Sequence, residues 1–581
     1  MKKAYIFLIS FSIIINLPET LFSQVQPNPD SVRAQRARML KEQTEAYNNK
    51  VFTHADTLRG SITPERAWWD IQRYDVTIKP DFVKKFTSGS DLITYKVTKE
   101  YQPGMQIDLQ EPLQIDSVIF NKKEKLSFTQ EGNAWHVHVP HQKVGSINKV
   151  EVFFHGYPHI AKRPPWDGGW TFTEDSLGRP WMTVCCQGLG ASVWYPCKDH
   201  QSDEPDKGAS LTMIAPDTLV AVSNGRLQFR KENGDGTATT QWSVSDPISN
   251  YCIIPYIGKY VHFHEDFKGR KGPLDLDYWV LDYNLQRARN YMPDEVHHML
   301  QAFEYWYGPY PFYEDGYKLV DVQNTGMEHQ SAVAYGNNYA FGYRGRDESG
   351  TGYGLKSDFI ILHESGHEWM GNNITTNDLA DMWVHEGFTN YAEALYVEYR
   401  WGTDAANAYN FGERRNIRND RPIIARYGVN EEGSSDMYYK GANMLNSIRH
   451  SLGNDSLFHK ILIGINKTFY HKTVTSSEIE NYISAQAGFN YSKVFYQYLH
   501  TVQIPELDYY FSADRKKVFY KYTNCIAGFN LPLVLQNNAS TIRIIPDENW
   551  QSISLKDDRQ ADLFNVKDIN FMYYITVKKG K

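Results

Sequence analysis

Between Ile361 and Glu393 the chain runs ILHESGHEWMGNNITTNDLADMWVHEGFTNYAE. The stretch holds an H-E-x-x-H pattern, His363-Glu364-Ser365-Gly366-His367, with eighteen residues separating His367 from Glu386. On a helix, positions i and i+4 share a face, so the two imidazoles point the same way. Two neutral imidazoles and one carboxylate are a sufficient ligand set for a catalytic zinc, with a fourth position left to water. Glu364 follows the first histidine and sits about 100° further round the helix. It is therefore placed to take a proton from that water rather than to ligate. Apolar residues flank the pattern, Phe359 to Leu362 before it and Trp369, Met370 and Trp383 after it. Two histidines and a carboxylate in such a setting are costly to bury unless liganded or paired.

The helix that carries Glu386 also carries Glu393, two turns on and on the same face. A carboxylate there can orient a ligating histidine. His264-Glu265 lacks a histidine at i+4 and reads as a solvated strand edge. His297 and His298 face different directions on a helix. Gly345 to Gly354 is glycine-rich but lacks the G-K-[ST] order of a phosphate loop, and reads as a loop before the histidine-bearing helix.

The whole chain of 581 residues is long enough for several domains. Its 41% hydrophobic and 14% aromatic content can fill real cores. The net charge of −7 is spread without basic or acidic blocks, which argues against nucleic acid as a partner. None of the five cysteines, Cys185, Cys186, Cys197, Cys252 and Cys525, forms a C-x-x-C pair, so a cysteine metal site is not expected. An odd count leaves one thiol unpaired, and a Cys186–Cys197 bridge is one option for the rest.

Residues 1–23 read as an export signal: Lys2 and Lys3, an apolar run from Tyr5 to Leu17, and a cleavage point before Gln24. The run is short for a membrane span, so the mature protein is expected to be periplasmic or secreted, without stable membrane insertion. Residues 24–66 are a polar lead-in. From 67 to 272 short alternating runs punctuated by Gly, Asn and Pro predict an all-β domain. Residues 273–504 mix helices with a few strands, and 505–581 return to alternation, read as a small β-sandwich that includes a strand over Phe571 to Val577. The fold class is multidomain α+β.

With Gly387-Phe388-Thr389, Tyr391 and Glu393 following it, the H-E-x-x-H-x18-E arrangement closely resembles the aminopeptidase N family of zinc peptidases, which are thermolysin-like gluzincins. The resemblance implies one zinc ion held by His363, His367 and Glu386, with Glu364 as general base. Thr325-Gly326-Met327-Glu328-His329 resembles the family's G-x-M-E-N motif, with Thr325 for the first Gly and His329 for the Asn. By that likeness Met327 and Glu328 lie beside the substrate on an edge strand. Glu328 would pair with a free α-ammonium. Cys186-Gln187-Gly188, followed by Trp194-Tyr195-Pro196-Cys197-Lys198-Asp199, partly matches a segment whose Gln reaches the substrate's amino end, which implicates Gln187. Tyr438, two before Lys440 in a Y-x-K-G-A pattern, matches the family's oxyanion donor. Larger members add a long helical domain after the β-sandwich; the chain stops at Lys581, which points to a more open active site.

The function implied is a zinc aminopeptidase acting on peptides with a free N-terminus. Alternatives are an epoxide hydrolase of the same family and an inactive peptide-binding protein. The substitution at His329 keeps the latter open.

Overall fold

The alternation beginning at Trp69 sets the first layer. Trp69, Ile71, Tyr74, Val76 and Ile78 bury fully while the residues between them, Gln72 excepted, stay partly wet. A bulge between Ile71 and Arg73 resets the alternation, as a register shift of one residue must. In the computed structural model, which describes residues 45, 47 and 49–580, strand Trp69–Asp81 pairs antiparallel with Phe86–Val97 and parallel with Ala209–Pro216. These belong to an eight-stranded sheet, accompanied by a four-stranded sheet (Gly169–Glu174, Pro180–Cys185, Val220–Val222, Tyr256–Gly258) and a three-stranded one. Their inner faces enclose one core, from Trp68 and Trp69 to Tyr256. The export signal and most of the polar lead-in lie outside the described residues. Val51–Lys581 forms one compact unit.

A five-stranded sheet follows. Its first strand, Tyr260–Gly269, pairs with Gly272–Leu281, so this sheet starts ahead of residue 273. Strand Tyr317–Asp321 lies next, then Val333–Tyr335, and the two-residue strand Gly326–Met327 forms the far edge. Helices Met292–Tyr307, Phe359–Gly366, Trp383–Trp401 and Tyr439–Leu452 pack behind it. Helices Trp383–Trp401 and Tyr439–Leu452 meet at a glycine pair. A methyl on Gly441 would stand 3.0 Å from Gly387 Cα, tighter than most side-chain contacts, so the helices would have to shift apart. That contact draws the start of the later helix, and Tyr438 before it, toward Glu386.

The last segment is a four-stranded mixed sheet, Gln551–Ser554, Lys517–Thr523, Glu506–Phe511 and Thr576–Lys579, with a hairpin of Leu533–Gln536 and Thr541–Ile544. Apolar side chains of both bury together. The strand expected over Phe571 to Val577 is shorter. Val566–Met572 is a helix, because Asn565 caps it by accepting from the Lys567 and Asp568 amides. All five cysteines are free thiols, so the Cys186–Cys197 bridge is not formed.

Candidate active site

Helix Phe359–Gly366 starts at Asp358, whose carboxylate accepts from the Ile361 amide at 3.1 Å. It presents His363 and Glu364 on its last turn and ends at His367. There the backbone turns sharply through Met370 and Gly371. Gly371 adopts φ +137°, where a side chain would crowd His367 Nδ1 at 3.1 Å. The turn brings Met370 O back to accept from His367 Nδ1–H at 3.0 Å. His363 Nδ1–H donates to Glu393 Oε1 at 2.8 Å, and the Tyr409 hydroxyl donates to the other Glu393 oxygen at 2.6 Å. Both Nδ1 atoms are thus committed, and the two Nε2 lone pairs are free to point elsewhere.

They point at one oxygen. Glu386 Oε2 lies 3.5 Å from His363 Nε2 and 3.3 Å from His367 Nε2, and makes no hydrogen bond. Donors bonded tetrahedrally to a metal at about 2.0–2.1 Å are spaced about 3.3–3.4 Å apart. The spacing, the residue types and the orphaned buried oxygen all fit a metal ion. All three residues are buried. Burial would raise the Glu386 carboxyl, but the adjacent imidazoles outweigh it and hold it well below the usual carboxylate range. His385, beside Glu386, turns away, and its Nε2 accepts from the Thr376 amide at 2.9 Å.

Around this cradle stand the other expected residues. Glu364 is buried against the edge strand: a methyl on Gly326 would stand 2.9 Å from Glu364 Oε1. Burial, with the Glu328 and Glu386 charges adding to it, pushes the Glu364 carboxyl up to about 7. Glu328, 2% exposed, accepts from the Tyr251 hydroxyl at 3.1 Å, and Asn372 Nδ2 donates to its backbone carbonyl at 2.8 Å. Met327 is buried in the N-terminal core. Tyr438 stacks over His363, ring centroids 5.8 Å apart. Burial, then the surrounding carboxylates, hold its phenol well above its usual range, so it remains a proton donor. Gln187 is half-buried and, with Asn250 and Tyr251, lines a partly open pocket. Tyr251 thereby links that pocket to Glu328.

His329 stands apart from the group. It is fully buried, its Nδ1 lies 2.5 Å from the Tyr256 hydroxyl, and burial pushes it down to about 3. The departure from the family motif at this position therefore alters packing against the N-terminal sheet. Tyr251, Asn372 and Tyr409 had no signal in the sequence. Tyr251 comes from the N-terminal domain, Tyr409 from helix Thr403–Glu413 and Asn372 from the turn after His367, and the chain holds 40 tyrosines. A second group, His264, Asp266 and Asp275, lies exposed on the hairpin of Tyr260–Gly269 and Gly272–Leu281, where Asp277 accepts from His262 and His264.

A thermolysin-like helix pair bearing two histidines and a glutamate, beside an edge strand with a buried glutamate, defines a metallopeptidase-type catalytic domain. Residues 291–498 match the family profile described as peptidase family M1 domain. The chain is thus similar to aminopeptidase N-like metallopeptidases. It is 23% identical over 416 residues to probable aminopeptidase 2 of Sulfurisphaera tokodaii, a match covering 68% of this chain and 51% of that protein. It is 25% identical to aminopeptidase N of Canis lupus familiaris over 55% of this chain and 34% of that one. The matches thus span about half of the first relative's length and a third of the second's. An M1 zinc metallopeptidase from Deinococcus radiodurans, solved as a mutant with a Tyr-Ser-Ala substrate, shares the fold. Its TM-score is 0.64 at 20% identity, covering 75% of this chain and 95% of that one.

Proposed function

We propose that the protein is a zinc aminopeptidase that removes the first residue from peptides with a free N-terminus. The observation that carries this is the placement of Glu328 against Glu364 and the His363–His367–Glu386 cradle. A carboxylate fixed near the reacting centre, just past the edge strand Gly326–Met327, selects a chain end rather than a chain middle. A zinc ion held by His363, His367 and Glu386 would act as a Lewis acid, acidifying water and polarising the scissile carbonyl.

The chain's own groups supply the rest. Gly326–Met327 offers unpaired backbone groups along which an extended peptide can add as a strand. Glu328, steadied by Tyr251, accepts from the α-ammonium, and Gln187 adds an amide on the opposite wall. Glu364 takes the proton from the attacking water and returns it to the leaving amine. Tyr438 donates to the oxygen on which charge develops. Glu393 and Met370 O fix the tautomers of the two ligating histidines. The test is a pair of identical peptides, one N-acetylated, incubated with zinc-loaded protein and followed by mass spectrometry. Stepwise loss of first residues from the free peptide alone supports the proposal; internal cleavage of both, or no cleavage, overturns it.

We also propose export. The support is the basic start, apolar run and cleavage point in residues 1–23. Among the described residues no helix is long and apolar enough to cross a membrane. N-terminal sequencing of protein recovered outside the cytoplasm should begin at Gln24, and a start at Met1 overturns the cleavage.

A further inference from the structure

The short helix His54–Gly60 lies ahead of the N-terminal sheets, and the reaction above does not use it. Thr53 starts it: the Thr53 amide and hydroxyl both donate to Asp56 Oδ2 at 2.7 Å. Its last residue is seated on the catalytic domain. A methyl on Gly60 would stand 2.1 Å from the Asn430 amide nitrogen, so only glycine lets the helix end meet the loop that leads to Tyr438. The N-terminal domain holds the same end from the other side. His200 Nε2 lies 3.2 Å from Gly60 O, and Arg66 Nη1 donates to Arg59 O at 3.0 Å and to Ser61 O at 2.8 Å.

This seat aims Arg59 at the turn that carries Gln187. Arg59 Nη1 donates to Asp199 O at 2.6 Å. Nη2 donates to Leu189 O at 3.3 Å and pairs with Asp199 Oδ2 at 3.0 Å. Asp199 Oδ2 also accepts from the Ser192 amide at 3.1 Å, so both ends of the segment are tied to one carboxylate. The guanidinium covers Gly190, where a methyl would stand 2.0 Å from Nη2. Inside the turn the Gly190 amide donates to Cys186 O at 2.6 Å and the Leu189 amide to Gln187 O at 2.8 Å. Asn430 Nδ2 grips the turn from its other side, donating to Gly188 O at 2.9 Å. The turn reaches the amino-end carboxylate through two contacts. Cys186 Sγ donates to Tyr251 O at 3.3 Å, and the Tyr251 hydroxyl donates to Glu328 Oε1 at 3.1 Å.

Two of the three residues after Gln187 are glycines, so this backbone has many conformations open to it. A guanidinium fork bonded to two separate acceptor residues restricts it, which a single point charge does less well. We propose that Arg59 is a positioning residue for amino-end recognition, holding the turn Cys186–Gly190 so that the Gln187 amide meets the substrate's first residue. The inference rests on the role given to Gln187 in the aminopeptidase proposed above.

The test is KM, kcat and zinc content, with Leu p-nitroanilide as substrate. The proteins are zinc-loaded wild type, Arg59→Ala, Arg59→Lys, Gln187→Ala and the double variant Arg59→Ala/Gln187→Ala. Arg59→Ala should raise KM about three- to tenfold, the loss of one hydrogen bond, with kcat within about twofold and zinc unchanged. Arg59→Lys still pairs with Asp199 and should recover part of the loss. Because Arg59 acts through Gln187, Arg59→Ala should change KM by less than about twofold once Gln187 is already Ala, whereas independent effects multiply. If Arg59→Ala does not fold, the same cycle run with Arg59→Lys decides. A wild-type KM for Arg59→Ala or for Gln187→Ala, or effects that multiply in the double variant, overturns the positioning role. So does an Arg59→Ala that loses kcat and zinc together, the mark of a purely structural residue. No release from any aminoacyl anilide by zinc-loaded wild type overturns the aminopeptidase proposal, and this inference with it.

Discussion

Glu393 offers a perturbation whose consequences separate metal binding from folding. Its Oε1 accepts from His363 Nδ1–H at 2.8 Å and its Oε2 from the Tyr409 hydroxyl at 2.6 Å, with 1% exposure. Glu393→Gln keeps the volume and one acceptor oxygen but removes the charge. A hydrogen bond to a charged partner contributes about 1.5–3 kcal/mol and a neutral one about 1. The loss is therefore about 1 kcal/mol, or about fivefold in zinc affinity. Glu393→Ala removes both bonds, leaves the imidazole free to rotate, and should weaken zinc about 10- to 100-fold. In the metal-free fold Gln also weakens the His363 bond, and a second effect offsets part of that loss. Burial, then the Glu393 charge, raise the Glu413 carboxyl, which Asn390 Nδ2 contacts at 3.1 and 3.2 Å. Neutralising Glu393 relieves that repulsion. Competition with a chromogenic chelator reads the affinity, and thermal unfolding of chelator-treated protein reads the fold. Zinc affinities of both variants equal to wild type would refute the reasoning.

Tyr438→Phe removes the proposed oxyanion donor and should lower kcat about 10²- to 10³-fold with KM and zinc content unchanged; a KM effect alone would place Tyr438 in binding. Tyr251→Phe frees Glu328 from its one hydroxyl partner and should raise KM for free-amine substrates several-fold without affecting kcat comparably; unchanged kinetics would detach Tyr251 from the site. His329 tests the pH dependence of stability. Burial pushes it down to about 3, against about 6.5 when unfolded, so the unfolded chain takes up a proton that the native state refuses. Its contribution is fully present above about pH 6.5 and is lost as pH falls toward 3, about 2 kcal/mol by pH 5. His329→Asn should flatten the stability–pH curve by one proton between those limits, measured by urea unfolding; an unchanged slope would show that the native His329 protonates freely.

The convergence of His363, His367 and Glu386 was legible because its logic is local. His363 and His367 are one helical turn apart, and Glu386 and Glu393 are two. Periodicity alone places each pair on one face, and Glu393 does hold His363. Glu328 was legible only through resemblance, since a short edge strand leaves little pattern. The supporting groups were invisible. Tyr251 meets Glu328 across 77 residues of sequence, and Asn372 meets its carbonyl across 44. Such contacts are set by how the N-terminal sheets dock on the helices. The helix at Val566–Met572 was missed because aromatic alternation into Tyr574 resembled a strand, while the Asn565 cap acts on the backbone amides that follow. His329 read as a change to the amine site because its neighbour in sequence is Glu328. Alternation along the chain turns the two side chains to opposite sides, one to the cleft and one to Tyr256.

The most direct measurement is the rate of first-residue release by wild type and Glu364→Gln, with zinc content determined on the same samples. Glu364 touches no ligand and sits against Gly326, so the substitution should leave about one zinc per chain in both proteins. Release should fall by several orders of magnitude in the variant. Equal rates at equal zinc would contradict the role given to Glu364 and the mechanism built around it.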